Sequence, residues 1–272
     1  IDPKTLCIDP KLIEKSITKK TKAIVVVHYA GVPCEMDKII KIAKKYKLIV
    51  IEDSAQAIFS RYKNKYCGTL GDIGCLSFHE TKNITSCEGG AIILNKNKYF
   101  KKASIICNKG TDREYFNKSL KKYYSWSGLG SSYIPSEITC SILYSQLLNY
   151  KKIMKEREKI WKNYSLFFKR IKTQLVETRE TFSKKIKINH HMFFLICKNF
   201  NVREKILSKL RKENILSTFH YIPLHKSIMG SKYYRGKLSV TESLSKKIIR
   251  LPFWIGMDQK IVFKKLKKIL NV

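Results

Sequence analysis

The chain of 272 residues is 44% hydrophobic, enough to bury a substantial core, most economically in two domains. Its formal charge is +34, yet Arg supplies only 9 of 55 basic residues. A reader of nucleic acid concentrates Arg, whose planar fork matches phosphate and guanine, so scattered pairs such as Lys44-Lys45 and Lys121-Lys122 argue for solvated surface and against a specific nucleic-acid site. The eight cysteines are dispersed without a C-x-x-C pair, which speaks against a disulfide frame or a zinc site and for buried thiols, Cys75 and Cys197 among them. No apolar run reaches the length of a membrane span. The expected compartment is the cytoplasm.

The chain opens on "IDPKTLCIDPKLIEKSI", a connector and then a helix. "AIVVVHYA" (23–30) is a β-branched run of the kind a buried parallel strand shows. "CEMDKIIKIAKKYK" (34–47) has helical spacing, with Met36, Ile39, Ile40 and Ala43 on one face. "LIVIED" (48–53), "IGCLSFH" (73–79) and "GGAIILN" (89–95) add three strands. This βαβ rhythm predicts an open α/β sheet covered by helices, with its functional groups at the carboxyl ends of the strands. From Ser136 to about Ile171 the spacing predicts one long, mostly helical stretch. Then "HHMFFLICK" reads as a strand, "NVREKILSKLRKENI" as a helix, and "LSTFHYIPLH" as a strand and turn. "VTESLSKKIIRLPFW" and "DQKIVFKKLKKIL" add a helix, a short strand and a last helix capped by Asp258. The expected division is residues 1–150, an α/β domain, and 151–272, a connecting helix with a small α+β domain.

Two carboxyl ends stand out. "EDSAQA" places Asp53 just past a strand, with Gln56 one turn on. "SFHETK" brings Ser77, His79 and Lys82 to the same edge. An acid, an amide, a hydroxyl and a lysine are the parts a pyridoxal phosphate site uses. The lysine condenses with the aldehyde, the carboxylate keeps the pyridine nitrogen protonated, and hydroxyls and backbone N–H groups hold the phosphate. Spacing alone leaves the bland readings open: a capping Ser77, a helical Gln56, His79 and His225 as structural hydrogen bonders. Glu88-Gly89-Gly90 reads as a tight turn. His190-His191 begins a strand and makes no metal pair, and no metal is expected.

"EDSAQA" followed by "GTLGDIGCLSFHETKNITSCEGGAIIL" resembles the signature of the DegT/DnrJ/EryC1/StrS family of sugar aminotransferases. With "VHYAGVPCEMD", "KGTDREYF", "GSSYIPSEI" and "TFHYIPLH", the resemblance narrows to the branch that makes dTDP-4-amino-4,6-dideoxygalactose from dTDP-4-keto-6-deoxyglucose. It implies a fold-type I, pyridoxal-phosphate-dependent aminotransferase: a mostly parallel sheet with helices on both faces, plus a small C-terminal α+β domain. Lys82 is then the cofactor lysine and proton carrier. Asp53 pairs with the pyridine nitrogen, Gln56 lies at the ring hydroxyl, and Ser77 binds the phosphate. Ser132, in "GSSYI" where the family usually has Asn, completes the phosphate site of a neighbouring subunit, which implies a homodimer with a shared site. His79 and His225 match positions near the nucleotide-sugar. Glutamate is the implied amino donor, and precursor synthesis for surface polysaccharide or enterobacterial common antigen the implied pathway.

The resemblance also implies that the first part of the large domain, on the order of a hundred residues, is absent from these 272 residues, as in an N-terminally truncated chain, whether the natural protein is longer or its gene is split or decayed. It would carry a first strand, a phosphate-cradling Ser/Thr loop and a ring-stacking aromatic. Three other readings are weighed against this one. A dehydratase of the same superfamily replaces the lysine by histidine, and Lys82 argues against it. An inactive remnant of the enzyme would take up no cofactor, and a basic polyanion-binding protein would bind nucleic acid with a steep salt dependence.

Overall fold

The computed structural model describes residues 1–179, 182–234 and 236–272. Helix α1 (Pro10–Ser16) starts at Asp9, whose side chain accepts the Lys11 N–H at 2.9 Å. Strands β1 (Ala23–Val27), β2 (Ile49–Asp53), β5 (Ile73–Ser77) and β6 (Gly90–Leu94) form one sheet in the order β1-β2-β5-β6. Between β1 and β2 runs helix α2 (Met36–Lys45), which buries Met36, Ile39 and Ala43 against Ile24, Val26 and Val50 of the sheet. Strands β1, β2 and β5 are parallel, with Val27 opposite Asp53 and Asp53 opposite Cys75. The carboxyl ends of β1 and β2 are therefore level, β5 continues past them from Cys75 to Ser77, and His28, Asp53 and Ser77 share one edge.

Two expectations change here. Strand β6 lies where the sequence puts it but runs antiparallel to β5, because the connection 78–89 contains no helix to carry the chain back across the sheet. Cys75, expected to be buried, is exposed, as are Cys87 and Cys140, whereas Cys197 is buried. The β5 pleat turns Gly74 inward, where a Cβ would stand 2.6 Å from Gly68 Cα, and turns Cys75 outward.

Short strands β3 (Arg61–Tyr62) and β4 (Lys65–Tyr66) make a hairpin that pairs with β8 (Ile186–Lys187). Helices α3 (Phe100–Cys107) and α4 (Arg113–Asn117) follow β6. The long helix expected from Ser136 is two helices, α5 (Glu137–Leu148) and α6 (Tyr150–Arg170). The break is at Asn149, whose side-chain amide donates to the Ser145 carbonyl at 3.0 Å and whose ψ of 8° departs from the helix. An Asn that bonds the preceding turn offers the backbone an alternative to helix.

The second half is built on a sheet in the order β10-β9-β7, from β7 (Val176–Glu177), β9 (Phe194–Cys197) and β10 (Ile248–Arg250). Helix α7 (Phe200–Lys212) and helix α10 (Gln259–Leu270) pack on it with α6, burying Ile160, Tyr164, Leu195, Leu210, Ile249 and Leu266 in one cluster. Tyr164 is fully buried, stacks on Phe193 at 5.0 Å, and donates its hydroxyl to the Pro252 carbonyl at 2.8 Å. Helices α8 (Gly230–Tyr233) and α9 (Ser239–Ser245) are short and bury no residue. Strand β9 is shorter than "HHMFFLICK" suggests, since Arg157 of α6 takes the carbonyls of His190 and His191 at 3.3 and 2.5 Å. "LSTFHYIPLH" forms only an isolated bridge between Thr218 and Arg250, then a turn at Leu224–Lys226.

Candidate active site

Strand β2 ends on two carboxylates that the pleat sends to opposite sides. Glu52 is fully buried. Its Oε2 accepts from His28 Nε2 and from the Gly68 N–H, both at 2.9 Å, and its Oε1 accepts the N–H groups of Leu70 and Gly71 at 2.7 and 2.6 Å. Since His28 Nδ1 accepts the Cys34 N–H at 3.0 Å, the hydrogen sits on Nε2 and points at Glu52. Burial alone would raise the Glu52 pKa, but the bonds from His28, Gly71 and Gly68 outweigh it and hold the group below the ordinary glutamate value. This carboxylate ties β1, β2 and the 67–71 loop into one rigid edge.

Asp53, half-buried at that edge, accepts the Ala55 N–H on Oδ1 at 3.0 Å. Lys82 stands five residues past β5, its N–H donating to the His79 carbonyl at 2.9 Å. Its amine is half-buried, and burial lowers its pKa from the ordinary lysine value. Asp53 opposes that shift and Arg250 adds to it. So Asp53 and Lys82, assigned from separate segments, sit within each other's field.

The residue after the lysine fixes its floor. Buried Asn83 donates to the Asn189 carbonyl at 2.9 Å and accepts from His191 Nδ1 at 2.8 Å. Burial, then the charges of Arg157, Lys82, Arg250 and His220, push His191 well below the usual histidine range, so it is neutral. Asn189 in turn donates to the carbonyls of Gln56 and Ile58 at 3.0 and 2.9 Å. Gln56 places its Oε1 on the Ala30 N–H at 2.7 Å, and its amide nitrogen has no hydrogen-bond partner among the described residues.

The remaining sequence candidates are placed as follows. Ser77 Oγ, at the end of β5, accepts the His79 N–H at 3.4 Å. His79 is engaged locally, with Thr81 Oγ1 at 2.9 Å and Glu88 Oε1 at 3.5 Å. His225 is buried, with Nε2 2.9 Å from Glu242 Oε1. Ser132 is exposed and bridges Asn108 through its backbone. The structure thus brings Asp53, Gln56, Ser77 and Lys82 to one edge and leaves Ser132 in an exposed segment.

Sequence reasoning missed three residues of this neighbourhood. Tyr29 hydrogen-bonds His220 Nδ1 through its hydroxyl. Burial, with Arg250 and Lys82, pushes the His220 pKa down to about 4. Burial raises the Tyr29 phenol well above its ordinary value, so Tyr29 keeps its proton and donates. Arg250 ends β10 and acts on Lys82, His191 and His220 alike. The available signal was an Arg closing the apolar run "IIRLPFW" and a His inside "TFHYIPLH", but no spacing rule links either to Lys82. Tyr29 and His220 also line a cavity of about 650 Å³ with Val25, Val27 and Ile248.

A half-buried lysine amine and a carboxylate at the carboxyl edge of an α/β sheet are groups that Schiff-base chemistry can use. The chain belongs to the DegT/DnrJ/EryC1/StrS aminotransferase family, whose profile matches residues 1–268. That family is pyridoxal-phosphate dependent. The uncharacterized protein MJ1066 of Methanocaldococcus jannaschii is 35% identical, over 100% of this chain and 72% of its own length. The dTDP-3-amino-3,6-dideoxy-alpha-D-galactopyranose transaminase of Aneurinibacillus thermoaerophilus is 32% identical, over 96% of this chain and 68% of its own. Among solved structures, Helicobacter pylori PseC, an aminotransferase involved in the biosynthesis of pseudoaminic acid, superposes with a TM-score of 0.89 at 27% identity, covering 100% of this chain and 72% of PseC.

Proposed function

We propose that this chain carries the catalytic lysine of a sugar aminotransferase, with Lys82 holding pyridoxal phosphate and Asp53 facing its pyridine nitrogen. The observation that carries the reading is that Asp53, at the carboxyl end of β2, and Lys82, five residues past β5, lie at the same edge of the sheet, where the Asp53 charge acts on the half-buried Lys82 amine. The donor set fits the group: an amine whose pKa burial lowers loses its proton, and so can attack an aldehyde, more readily than an ordinary lysine, and Asp53 Oδ2 has no hydrogen-bond partner among the described residues. When bound, the cofactor supplies an electron-withdrawing ring that stabilises negative charge on the attached carbon.

The chain's own residues do the rest. Asp53 favours a proton on the ring nitrogen, and Gln56 offers its amide nitrogen to the ring hydroxyl. Ser77 binds the phosphate, joined by Ser132 of a second copy in a homodimer. With the cofactor bound, Lys82 Nζ would be the base that takes the proton from the α-carbon of glutamate and the acid that delivers one to C4 of the sugar. We assign dTDP-4-keto-6-deoxyglucose as the sugar substrate, with His79 and His225 near the nucleotide-sugar, residues 1–150 as the remainder of the cofactor-binding domain and residues 151–272 as the connecting helix and small domain. Support for a nucleotide-linked sugar is the transaminase relative from Aneurinibacillus thermoaerophilus. Cytoplasmic surface-polysaccharide precursor synthesis is the pathway this reading implies.

Reduction with borohydride in the presence of pyridoxal phosphate, followed by peptide mass spectrometry, tests the assignment. The expected result is one modified peptide containing Lys82. Label spread over surface lysines, with the Lys82 peptide unmodified, would refute it.

A further inference from the structure

Two thiols that the proposed chemistry does not use lie in contact. Cys7 precedes α1 and Cys34 ends the turn after β1, and both are buried in the core that α1 and α2 form with the sheet. Cys7 Sγ lies 3.3 Å from the Val32 carbonyl and Cys34 Sγ 3.2 Å from the Val27 carbonyl, and the two thiols hydrogen-bond each other. A single buried cysteine is ordinarily inert packing. Two side by side, brought from separate segments, need only turn their side chains for the sulfurs to bond.

The two sulfurs are not equivalent. The bond from Cys34 lowers the Cys7 thiol below the ordinary thiol range, whereas that same bond, and then burial, raises Cys34 well above it. Cys7 is therefore the one that yields thiolate, the nucleophile of disulfide exchange. A third buried thiol in their field, Cys67, is pushed up by burial and then by Glu52, so it keeps its proton.

The segment that carries Cys7 is closed on itself. The Asp2 N–H donates to the Cys7 carbonyl at 2.8 Å, the Leu6 N–H returns to the Asp2 carbonyl at 2.9 Å, and Asp2 Oδ1 accepts the Thr5 N–H at 2.7 Å. It can lift as a unit without breaking the sheet, and lifting brings Cys7 to a dissolved oxidant. Cys34 closes a turn with two duties at the proposed cofactor edge. The Cys34 N–H donates to His28 Nδ1 at 3.0 Å, and the same turn presents the Ala30 N–H to Gln56 Oε1 at 2.7 Å.

We propose that Cys7 and Cys34 are a redox pair whose reversible disulfide latches residues 1–8 onto the 28–34 turn and so fixes the Ala30 N–H that Gln56 accepts. The oxidant is a small-molecule disulfide of the glutathione kind. The Cys7 thiolate attacks one of its sulfurs and expels one glutathione. Cys34 gives up its proton and displaces the second glutathione, which leaves the Cys7–Cys34 bond. Two protein thiols are oxidised, one disulfide is reduced to two thiols, and both protons end on the released glutathione.

The test exposes the full chain, folded and reduced, to oxidised glutathione, then alkylates and digests it for peptide mass spectrometry. The expected product is one linked pair of peptides, Cys7 with Cys34, two hydrogens lighter than its reduced parts and reopened by dithiothreitol. The exposed Cys75, Cys87 and Cys140 are expected to carry glutathione instead. In the oxidised chain the Ala30 amide should exchange with deuterium more slowly and the urea midpoint should rise. Cys7→Ser and Cys34→Ser should each abolish the linked peptides and both of these changes. In the unsubstituted chain, Cys7 and Cys34 left free or each capped by glutathione once the exposed cysteines have reacted overturns the pair. So does linkage of either one to Cys67. A Cys7–Cys34 bond that leaves Ala30 exchange unchanged overturns the latch.

Discussion

Residues 151–272 and residues 113–148 are both rich in apolar side chains, and they treat them oppositely. Among the former, Ile160, Tyr164 and Phe167 recur along one face of α6 and meet Leu195, Ile249 and Leu266 in a closed core. Helix α5 buries nothing, and its neighbourhood exposes Trp126 at 77%, Leu129 at 86% and Ile138 at 75%. The difference is one of period. In α6 the apolar positions leave a charged face for water, whereas α5, "EITCSILYSQLL", has no continuous polar face to offer. Apolar content alone therefore does not say where a core lies; periodicity does. The proposed cofactor edge, β2 and β5, lies in a third setting, where buried polar groups rather than apolar ones hold the chain.

Breaking that polar setting should have the largest effect. Glu52→Ala leaves His28 and three backbone N–H groups without their acceptor and is expected to cost about 3–5 kcal/mol in urea unfolding. A loss under about 1 kcal/mol would mean the edge is held some other way. The same carboxylate gives a pH dependence. Its folded pKa lies below the ordinary 4.5, so its stabilisation is present above that value and fades as acid takes the pH down through the lower folded value. Acid titration of stability should thus be shallower in Glu52→Gln than in the unsubstituted chain.

Next come the two apolar regions. Leu195→Ala or Leu266→Ala removes a fully buried side chain from the closed core and should cost about 2–5 kcal/mol. Removing the Asp258 side chain, whose carboxylate accepts the Lys260 N–H at 2.9 Å to cap α10, should cost about 1 kcal/mol. Leu129→Ala and Leu148→Ala should change stability by less than about 0.5 kcal/mol in the same urea experiment. Comparable losses from Leu148→Ala and Leu266→Ala would erase the contrast between the regions.

Much of this was legible in the chain. The β-branched runs gave β1 and β2, "EDSAQA" and "SFHETK" gave the positions of Asp53 and Lys82, and Asp258 announced its cap. What escaped was set by pairing in space. The direction of β6 depends on the length of a loop, the break at Asn149 on one side-chain hydrogen bond, and the shortness of β9 on Arg157 from another element. Arg250 and His220 reach Lys82 across more than a hundred residues of sequence, and each looks ordinary in its own segment. Glu52 was in view inside "LIVIED", but a buried carboxylate shows its role only with the 67–71 loop folded over it.

The central claim is that Lys82 is a cofactor lysine assembled beside Asp53. The most direct measurement is an absorbance titration of the purified chain with pyridoxal phosphate, alongside Lys82→Ala. The account predicts a saturable absorbance band that requires Lys82, bleaches when glutamate is added, and forms faster as rising pH removes the amine's proton below the ordinary lysine value of 10.5. A folded chain that gives the same spectrum with and without Lys82 would contradict it.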